Sequence, residues 1–519
     1  MEGVPLIALL IGSLAVTAVC RRLRVAPPLV LVVVGIAVSF VPFMPDFRID
    51  PEFVLLVVLT PLLYSAALDS SYLGFRANIR PIGLLAVGLV IFTTVAVGVA
   101  AWWLIPGLPL PAALVLGAVV APPDAVAAVA VGRQLGLPRR IMTVLAGESL
   151  VNDATALTVF RVAVAAAAGA GVSLLSGVGM FLVAGVGGTL IGLVMAWLVH
   201  RIRVRLNDPP IESALGLVVP FAVYLAAESA HASGLLAVVV AGLYLGYRAP
   251  ETGYATRLQD EAVWRASDTV LESVVFALIG LQLTTVVRAV GAVGPLVLVG
   301  LALTAVAVLA RVVWVYPATY LPRVLSRKLR ARDPYPSWRT PAVLSWAGMR
   351  GVVSLAAAFA ITAQVPQREK LVFLAFVVTV ATLLLHGTTL PWLIRRLGIF
   401  GGESTSDALA EAEAQHAAGR AAVAKLDELA EDGAHEHSVR KLRYMAQMRT
   451  NSSWERLGRD AAEAGESPSA AHRRLRRAMV AAERETFVRF RDERRIDDEV
   501  LRRVLRELDL EEAMLSRDE

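Results

Sequence analysis

Apolar runs close to the ~20 residues a helix needs to cross a hydrocarbon core recur along the first 400 residues of this chain. Thirteen can be placed, at about 4–20, 25–41, 52–68, 82–105, 110–132, 142–168, 174–199, 211–229, 233–247, 266–287, 293–320, 341–363 and 370–394. Only Ala230-His231-Ala232 separates the eighth from the ninth, so length alone leaves a count of twelve open. In lipid, every backbone N–H and C=O must be satisfied within the protein, so spanning segments are helices or closed barrels. Runs of this length are helices. The expected fold is an all-α polytopic membrane protein with about 13 transmembrane helices.

The composition changes near residue 400. Residues 1–400 hold 29 Lys+Arg and 18 Asp+Glu, and residues 401–519 hold 21 and 26. A single soluble globule, a disordered chain and a fibrous repeat are excluded. The division expected is a transmembrane domain over 1–400 and a soluble, mostly helical domain over 401–519. The overall pI near 9.6 does not point to nucleic acid, because the excess base lies between apolar segments, where it sets topology. With thirteen spans, loops on one side carry 22 Lys+Arg and loops on the other carry 4. That bias puts the N-terminus outside the cell membrane and the tail in the cytoplasm. The first run follows Met1-Glu2 without a basic segment or a small-residue cleavage site, and it reads as a retained helix. The lone cysteine, Cys20, excludes an intramolecular disulfide. The tail is rich in Ala, Glu, Arg and Leu. It reads as amphipathic helix with turns near Asp432-Gly433 and Gly465-Glu466-Ser467-Pro468, either a solvated appendage or a regulatory or oligomerisation element.

Ionisable residues inside spans cost at least ~2.5–3.5 kcal/mol each, so each needs a reason. Asp124, Glu148, Asp153, Glu228 and Glu272 are such acids, against Arg161, Arg311 and Arg350. Structural ion pairs can account for some, but three arginines cannot neutralise five carboxylates. Glu148 with Asn152 and Ser149 with Asp153 are i,i+4 pairs that make one polar face of the sixth span. Those oxygens suit a small hard cation. No His/Cys cluster suits zinc or copper, and no Gly-rich loop with a following Lys suits a nucleotide. Pro122-Pro123 breaks the fifth span beside Asp124, and Gly348 and Gly351 flank Arg350 in the twelfth. Interrupted helices at matching places in two halves point to two inverted repeats with crossed helices and a site at the crossing. Arg350 can offset the negative ends of the half-helix dipoles or pair with a carboxylate, Glu272 being a candidate. Arg311 reads as structural in the same way. Arg161 either faces Glu228 or snorkels outward. His231 reads as interfacial and His386 as a packing residue.

Three ordered motifs, Ala121-Pro122-Pro123-Asp124-Ala125-Val126-Ala127, Gly147-Glu148-Ser149-Leu150-Val151-Asn152-Asp153 and Trp346-Ala347-Gly348-Met349-Arg350-Gly351-Val352-Val353-Ser354, resemble the signatures of bacterial sodium/proton exchangers. These belong to the monovalent cation/proton antiporter superfamily, in its branch with an Asn-Asp pair. Tyr224 to Glu228 with Ser233-Gly234, Phe276 to Gly280 and Leu390 to Leu393 are similar as well, so the resemblance spans nearly all of 1–396. It implies a homodimer with a dimerisation domain and a moving core. It implies that Asp153 binds cation or proton, with Na+ at Asp153, Asp124 and Ser149, Asn152 as neighbour, and Glu148 as lining. Two departures stand out. Pro123 replaces a Thr that is frequent before the motif Asp, so a freed carbonyl would have to replace a side-chain ligand. Ser65 follows Tyr64 where many members carry Glu, which makes Glu272 the acid of interest for Arg350.

The function expected is secondary active transport, not enzyme chemistry and without a cofactor. Cytoplasmic Na+ or Li+ would exchange for external H+ by alternating access, and the resemblance to the Asn-Asp branch implies one for one. A carboxylate in a low-dielectric cavity is protonated more readily than in water, and its charged form can bind a cation instead. If it holds one at a time and only the loaded site crosses, the fluxes are coupled. A K+/H+ antiporter on the same scaffold is the alternative. A channel would need a filter ring that the sequence lacks, and a membrane sensor would work through the tail.

Overall fold

The computed structural model describes residues 3–23, 25–41, 51–124, 126–169, 174–206, 208–291, 293–399, 403–431, 435–457 and 468–516. The chain forms two compact units, Met1–Gly401 and Gly402–Glu519, and no strand occurs among the described residues.

The first unit begins with α1 (Gly3–Leu23), α2 (Pro27–Ser39), α3 (Pro51–Leu68) and α4 (Ile79–Leu104). Next come α5 (Leu110–Val120), α6 (Val126–Gln134), α7 (Arg139–Ala167), α8 (Leu174–Leu206), α9 (Pro209–Ser229) and α10 (Gly234–Arg248). It ends with α11 (Tyr254–Leu281), α12 (Val293–Leu325), α13 (Arg339–Trp346), α14 (Val352–Phe359) and α15 (Arg368–Leu397). Nine helices among the described residues are long and apolar enough to cross a membrane, and α2 and α5 are shorter apolar helices. The fifth and twelfth apolar runs fall below that length because each is two half-helices, α5/α6 and α13/α14.

Local chemistry explains the boundaries. α9 and α10 are separate helices. His231 turns the chain at φ 57°, and the Ser233 hydroxyl then caps α10 by accepting from the Leu236 N–H at 3.3 Å. α11 starts well before the apolar run at 266, because Arg257, Glu261 and Arg265 give its first turns an exposed face while Thr256 and Trp264 are buried. Single π-helical turns widen α3 at Val54–Leu59 and α4 at Leu84–Leu89. In the second, the Leu84 carbonyl is met by the Trp314 indole N–H of α12 at 2.9 Å.

Packing sorts these helices into two sets. α1, α2, α3, α8, α9, α10 and α11 pack mainly on one another, and α4 to α7 pack with α12 to α15. The second set runs straight, broken, straight twice over. Helices in the first set approach closely where glycine permits it. A Cβ on Gly280 of α11 would meet the Val32 carbonyl oxygen of α2 and stand 2.6 Å from the Ile36 nitrogen.

In the second unit α16 (Glu403–Glu431) packs on α17 (Glu436–Leu457), and α18 (Pro468–Asp492) packs on α19 (Asp498–Ser516). Arg476 of α18 forks onto Glu511 of α19 at 2.5 and 2.7 Å, and Val480, Leu501 and Leu508 are buried. The chain also turns between α18 and α19, where Arg494 adopts φ 57°, a break the composition did not signal. The turns expected near Asp432-Gly433 and at Gly465-Glu466-Ser467 lie outside the described residues.

One loop residue ties elements of the second helix set together. Arg140, in the first turn of α7, donates to both Asp333 oxygens at 2.8 Å. Arg323 of α12 donates to the same carboxylate at 2.6 Å and to the Asp333 main-chain oxygen at 3.2 Å. The Arg140 hydrogen bonds, helped by Arg323, hold the Asp333 carboxyl below the usual carboxylate range. A depressed pKa stabilises the fold above the unfolded value near ~3.9, and that contribution is lost as pH falls through the folded value. Asp333→Asn is therefore expected to lower Tm at pH 7 by the equivalent of about 1 kcal/mol, Arg140 being half exposed. The gap should close as pH falls through the folded value of Asp333. Thermal melts across that range check it, and a pH-independent gap would refute the electrostatic account.

Candidate ion site at two broken helices

Breaking a helix frees carbonyls at one half's end and N–H groups at the next half's start. Pro122 and Pro123 cannot donate, so α5 stops at Val120 and α6 restarts at Val126. α13 stops at Trp346 and α14 restarts at Val352. The two breaks face each other and satisfy each other's backbone. The Asp124 N–H donates to the Met349 carbonyl at 2.6 Å. Arg350, 1% exposed, donates through Nε to the Val120 carbonyl at 3.0 Å and through a terminal nitrogen to the Gly348 carbonyl at 2.5 Å. Its own N–H goes to the Thr382 hydroxyl of α15 at 3.2 Å. The Asn152 amide of α7 donates to the Pro123 carbonyl at 2.6 Å.

Charge is sorted at this crossing. Arg350 sits at the carbonyl end of α5, where a cation is favoured. Asp124 lies on Gly351, the residue before α14, so closely that a Cβ there would strike its carboxyl group. That is the N-terminal end of a half-helix, which favours an anion. Asp153 is 5% exposed one residue beyond Asn152, and Asp124 is the charged group that acts on it. No hydrogen bond or ion pair involves the Asp153 carboxylate among the described residues. The Asn152 Oδ1 is buried without a hydrogen-bond donor among the described residues. Ser149 is half-buried one turn earlier on the same helix.

The remaining intramembrane charges are engaged elsewhere. Both oxygens of Glu148 are held in a buried fork by Arg311 of α12, at 2.5 and 2.8 Å, and the Arg311 Nε donates to the Leu344 carbonyl at 3.1 Å. Helical geometry puts Glu148 on the polar face expected to line the ion site, and its carboxylate is turned to Arg311. Arg350 binds carbonyls, so the pairing expected for it with Glu272 does not occur. Glu272 is half-buried on α11, and the charges acting on it include Asp268, Asp124, Arg21 and Arg133. Arg161 does face Glu228, at 2.9 Å, with its side chain half exposed, and the other Glu228 oxygen accepts from the Gly234 N–H at 3.1 Å. His231 is exposed, and His386 is buried edge-on against Trp346 at 5.1 Å. Two participants were missed from the sequence. Thr382 was hidden in an apolar run. Asp268, one turn from Glu272, accepts from the Ser65 hydroxyl at 2.6 Å, and this spacing was the available signal.

Comparison with known proteins shows the family. Residues 6–396 match the model of the transmembrane sodium/hydrogen exchanger family. The chain belongs to the sodium/hydrogen exchanger family. An uncharacterised Na+/H+ exchanger of Mycobacterium tuberculosis is 35% identical over 99% of this chain and 96% of its own length. A Na+/H+ antiporter of Aphanothece halophytica is 30% identical over 75% of this chain and 73% of its own. The sodium proton antiporter MjNhaP1 of Methanocaldococcus jannaschii shares the fold, with a TM-score of 0.60 and 17% identity over 76% of this chain and 98% of that one. The protein is thus a multi-pass membrane antiporter of cations and protons, a transporter that needs no cofactor and whose substrates are the ions.

Two outcomes follow for this exchanger. Truncating Arg311 leaves Glu148 charged and unpaired in a dry site, which costs about 3–5 kcal/mol. Arg311→Met should abolish monodisperse protein in detergent, and Glu148→Leu added to it should restore part of the yield. Additive losses would refute the coupling. Gly351→Ala should displace the Asp124 carboxyl, leaving Tm within a few degrees and cutting exchange by roughly tenfold or more. Full activity in that variant would show that the Asp124 position does not matter.

Proposed function

We propose that this exchanger moves Na+ or Li+ from the cytoplasm outward against inward H+, electroneutrally, by alternating access. The observation that carries the reading is the buried Asp153 carboxylate, which lacks hydrogen-bond and ion-pair partners among the described residues and lies beside the Asp124 charge at the helix crossing. Proton and cation compete for Asp153. Asp124 and Ser149 complete the cation's oxygen set, and the buried Asn152 Oδ1 faces the same chemistry. The Pro123 carbonyl is held by Asn152, so it orders the break in place of the missing Thr side chain. Glu148, Arg311, Arg350 and Glu228 keep the scaffold, while Glu272 with Asp268 supplies charge on α11 near the approach to the site. The branch with an Asn-Asp pair fits Asn152-Asp153.

The frame of the proposal is thirteen membrane segments in two inverted repeats, α4 to α7 mirrored by α12 to α15. The set containing α1 to α3 and α8 to α11 forms the dimerisation scaffold of a homodimer. The N-terminus lies outside the plasma membrane, and the domain over 401–519 is cytoplasmic. A K+/H+ reading remains as the second, because a Bacillus subtilis relative, 29% identical over 70% of this chain, is described as a sodium, potassium, lithium and rubidium/H+ antiporter.

The test is exchange by purified protein in liposomes with an internal pH dye and a clamped membrane potential. Na+ and Li+ should drive pH changes that vanish in Asp153→Asn. The Na+ KM should rise as pH falls, with kcat at saturating Na+ preserved, since protons and cation share one carboxylate. A response to K+ alone would change the substrate, and full activity of Asp153→Asn would remove the proposed site.

A further inference from the structure

On the back of the helix that carries the site, α7, lies a cavity of about 400 Å³. Val151, Ala154, Thr155 and Thr158 form its α7 wall, an i, i+3, i+4, i+7 stripe on the side away from Ser149, Asn152 and Asp153. α8 supplies the opposite wall from Phe181 to Leu190. Val87, in the π-helical turn of α4, and Leu236 of α10 line it as well. The volume is within the about 300–1,000 Å³ typical of ligand sites.

The wall is almost wholly apolar. The Thr155, Thr158 and Thr189 hydroxyls each donate to the carbonyl four residues back in their own helix, at 3.3, 2.7 and 2.8 Å. The Ser233 hydroxyl caps α10. The donor hydrogens of these hydroxyls are thus already used within their own helices. A polar ligand would lose its hydration without compensation, so the guest is apolar.

The mouth identifies which apolar guest. Leu182, Val186 and Leu190 line the cavity and are 57%, 58% and 57% exposed, one stripe of a membrane-spanning helix at i, i+4, i+8. The opening is thus continuous with the surface that α8 turns toward the bilayer, where acyl chains are the solvent. An unfilled apolar space forfeits dispersion contacts on its whole lining.

We propose that this cavity is a lateral binding site for one acyl chain of a membrane phospholipid. Seated there, the chain lies between the helix that carries Asn152 and Asp153 and the helices α8 and α10. It fills the gap whose width must change if α7 moves against them. Binding does not rest on which cation is carried. Its effect on rate rests on the alternating-access reading above.

The test is photolabelling of the full-length protein in phosphatidylethanolamine/phosphatidylglycerol vesicles doped with a phosphatidylcholine bearing a mid-chain diazirine. Adducts are mapped by mass spectrometry. Labels should concentrate on Val151–Thr158 and Phe181–Leu190. They should fall by about tenfold in Gly185→Leu, because a Cβ at Gly185 meets nothing within 4 Å and the new side chain has open space to enter. Val186→Trp, which narrows the mouth from the exposed side, should block the same labels if Gly185→Leu does not yield folded protein. Labelling unchanged in folded Gly185→Leu or Val186→Trp would overturn the proposal. So would labelling by a diazirine fatty acid without labelling by the phospholipid, or crosslinking that places a second copy over Leu182 and Val186. In exchange assays the parent's turnover should depend on acyl-chain length and that of Gly185→Leu should not. If labelling behaves as expected and turnover does not, the effect on rate falls while the binding site stands.

Discussion

The interior of this membrane unit depends on satisfying backbone groups freed where two helices break. In hydrocarbon each orphaned carbonyl or N–H costs several kcal/mol. The structure meets that demand by placing the breaks against each other, so that Asp124 N–H, Arg350 and Asn152 serve the carbonyls of Met349, Val120, Gly348 and Pro123. Four elements, α5/α6, α7, α13/α14 and α15, are thereby fixed at one point. That is why the polar residues converge there and not at the helix ends, where water would satisfy them.

The same demand decides which charges are available for chemistry. Arg350 and Arg311 both donate to main-chain carbonyls, but only Arg311 also meets a carboxylate, and its planar fork takes up both oxygens of Glu148. Glu148 and Asp153 lie five residues apart on one helix yet have opposite situations, one neutralised by geometry and one opposed by a second acid. A pair locked in a dry fork cannot release a proton or a cation without leaving Arg311 uncompensated. A lone buried acid beside another acid gains from either. The division of labour therefore follows from where Arg311 reaches.

Much of this was legible in the sequence because membrane burial writes itself in apolar length. The spans fell close to their observed places, and Pro122-Pro123 and the Gly348/Gly351 pair marked the two breaks. What could not be read was side-chain reach. Helical spacing put Glu148 and Asn152 on one face, but spacing does not say that α12 crosses behind Glu148, or that Arg350 points to Val120 instead of Glu272. Thr382 was invisible because its hydroxyl satisfies its own helix and accepts from Arg350 at once. Asp268 was overlooked because Ser65 reads as a missing acid; its hydroxyl instead donates to an acid on the neighbouring helix.

That last exchange has a physical consequence for the site. A carboxylate on α3 would carry its charge on the helix packed against α10, whereas Asp268 and Glu272 carry theirs on α11, which packs on α2. A serine in its place contributes a donor but no charge, so the negative potential near Asp124 comes from α11 instead. Electrostatic attraction for a cation depends on summed charge and distance rather than on which helix bears the acid. Coordination geometry does depend on the helix, because oxygens on different elements meet an ion from different directions. Asp268 and Glu272 therefore keep negative charge on α11, and the Ser65 hydroxyl of α3 is spent on Asp268.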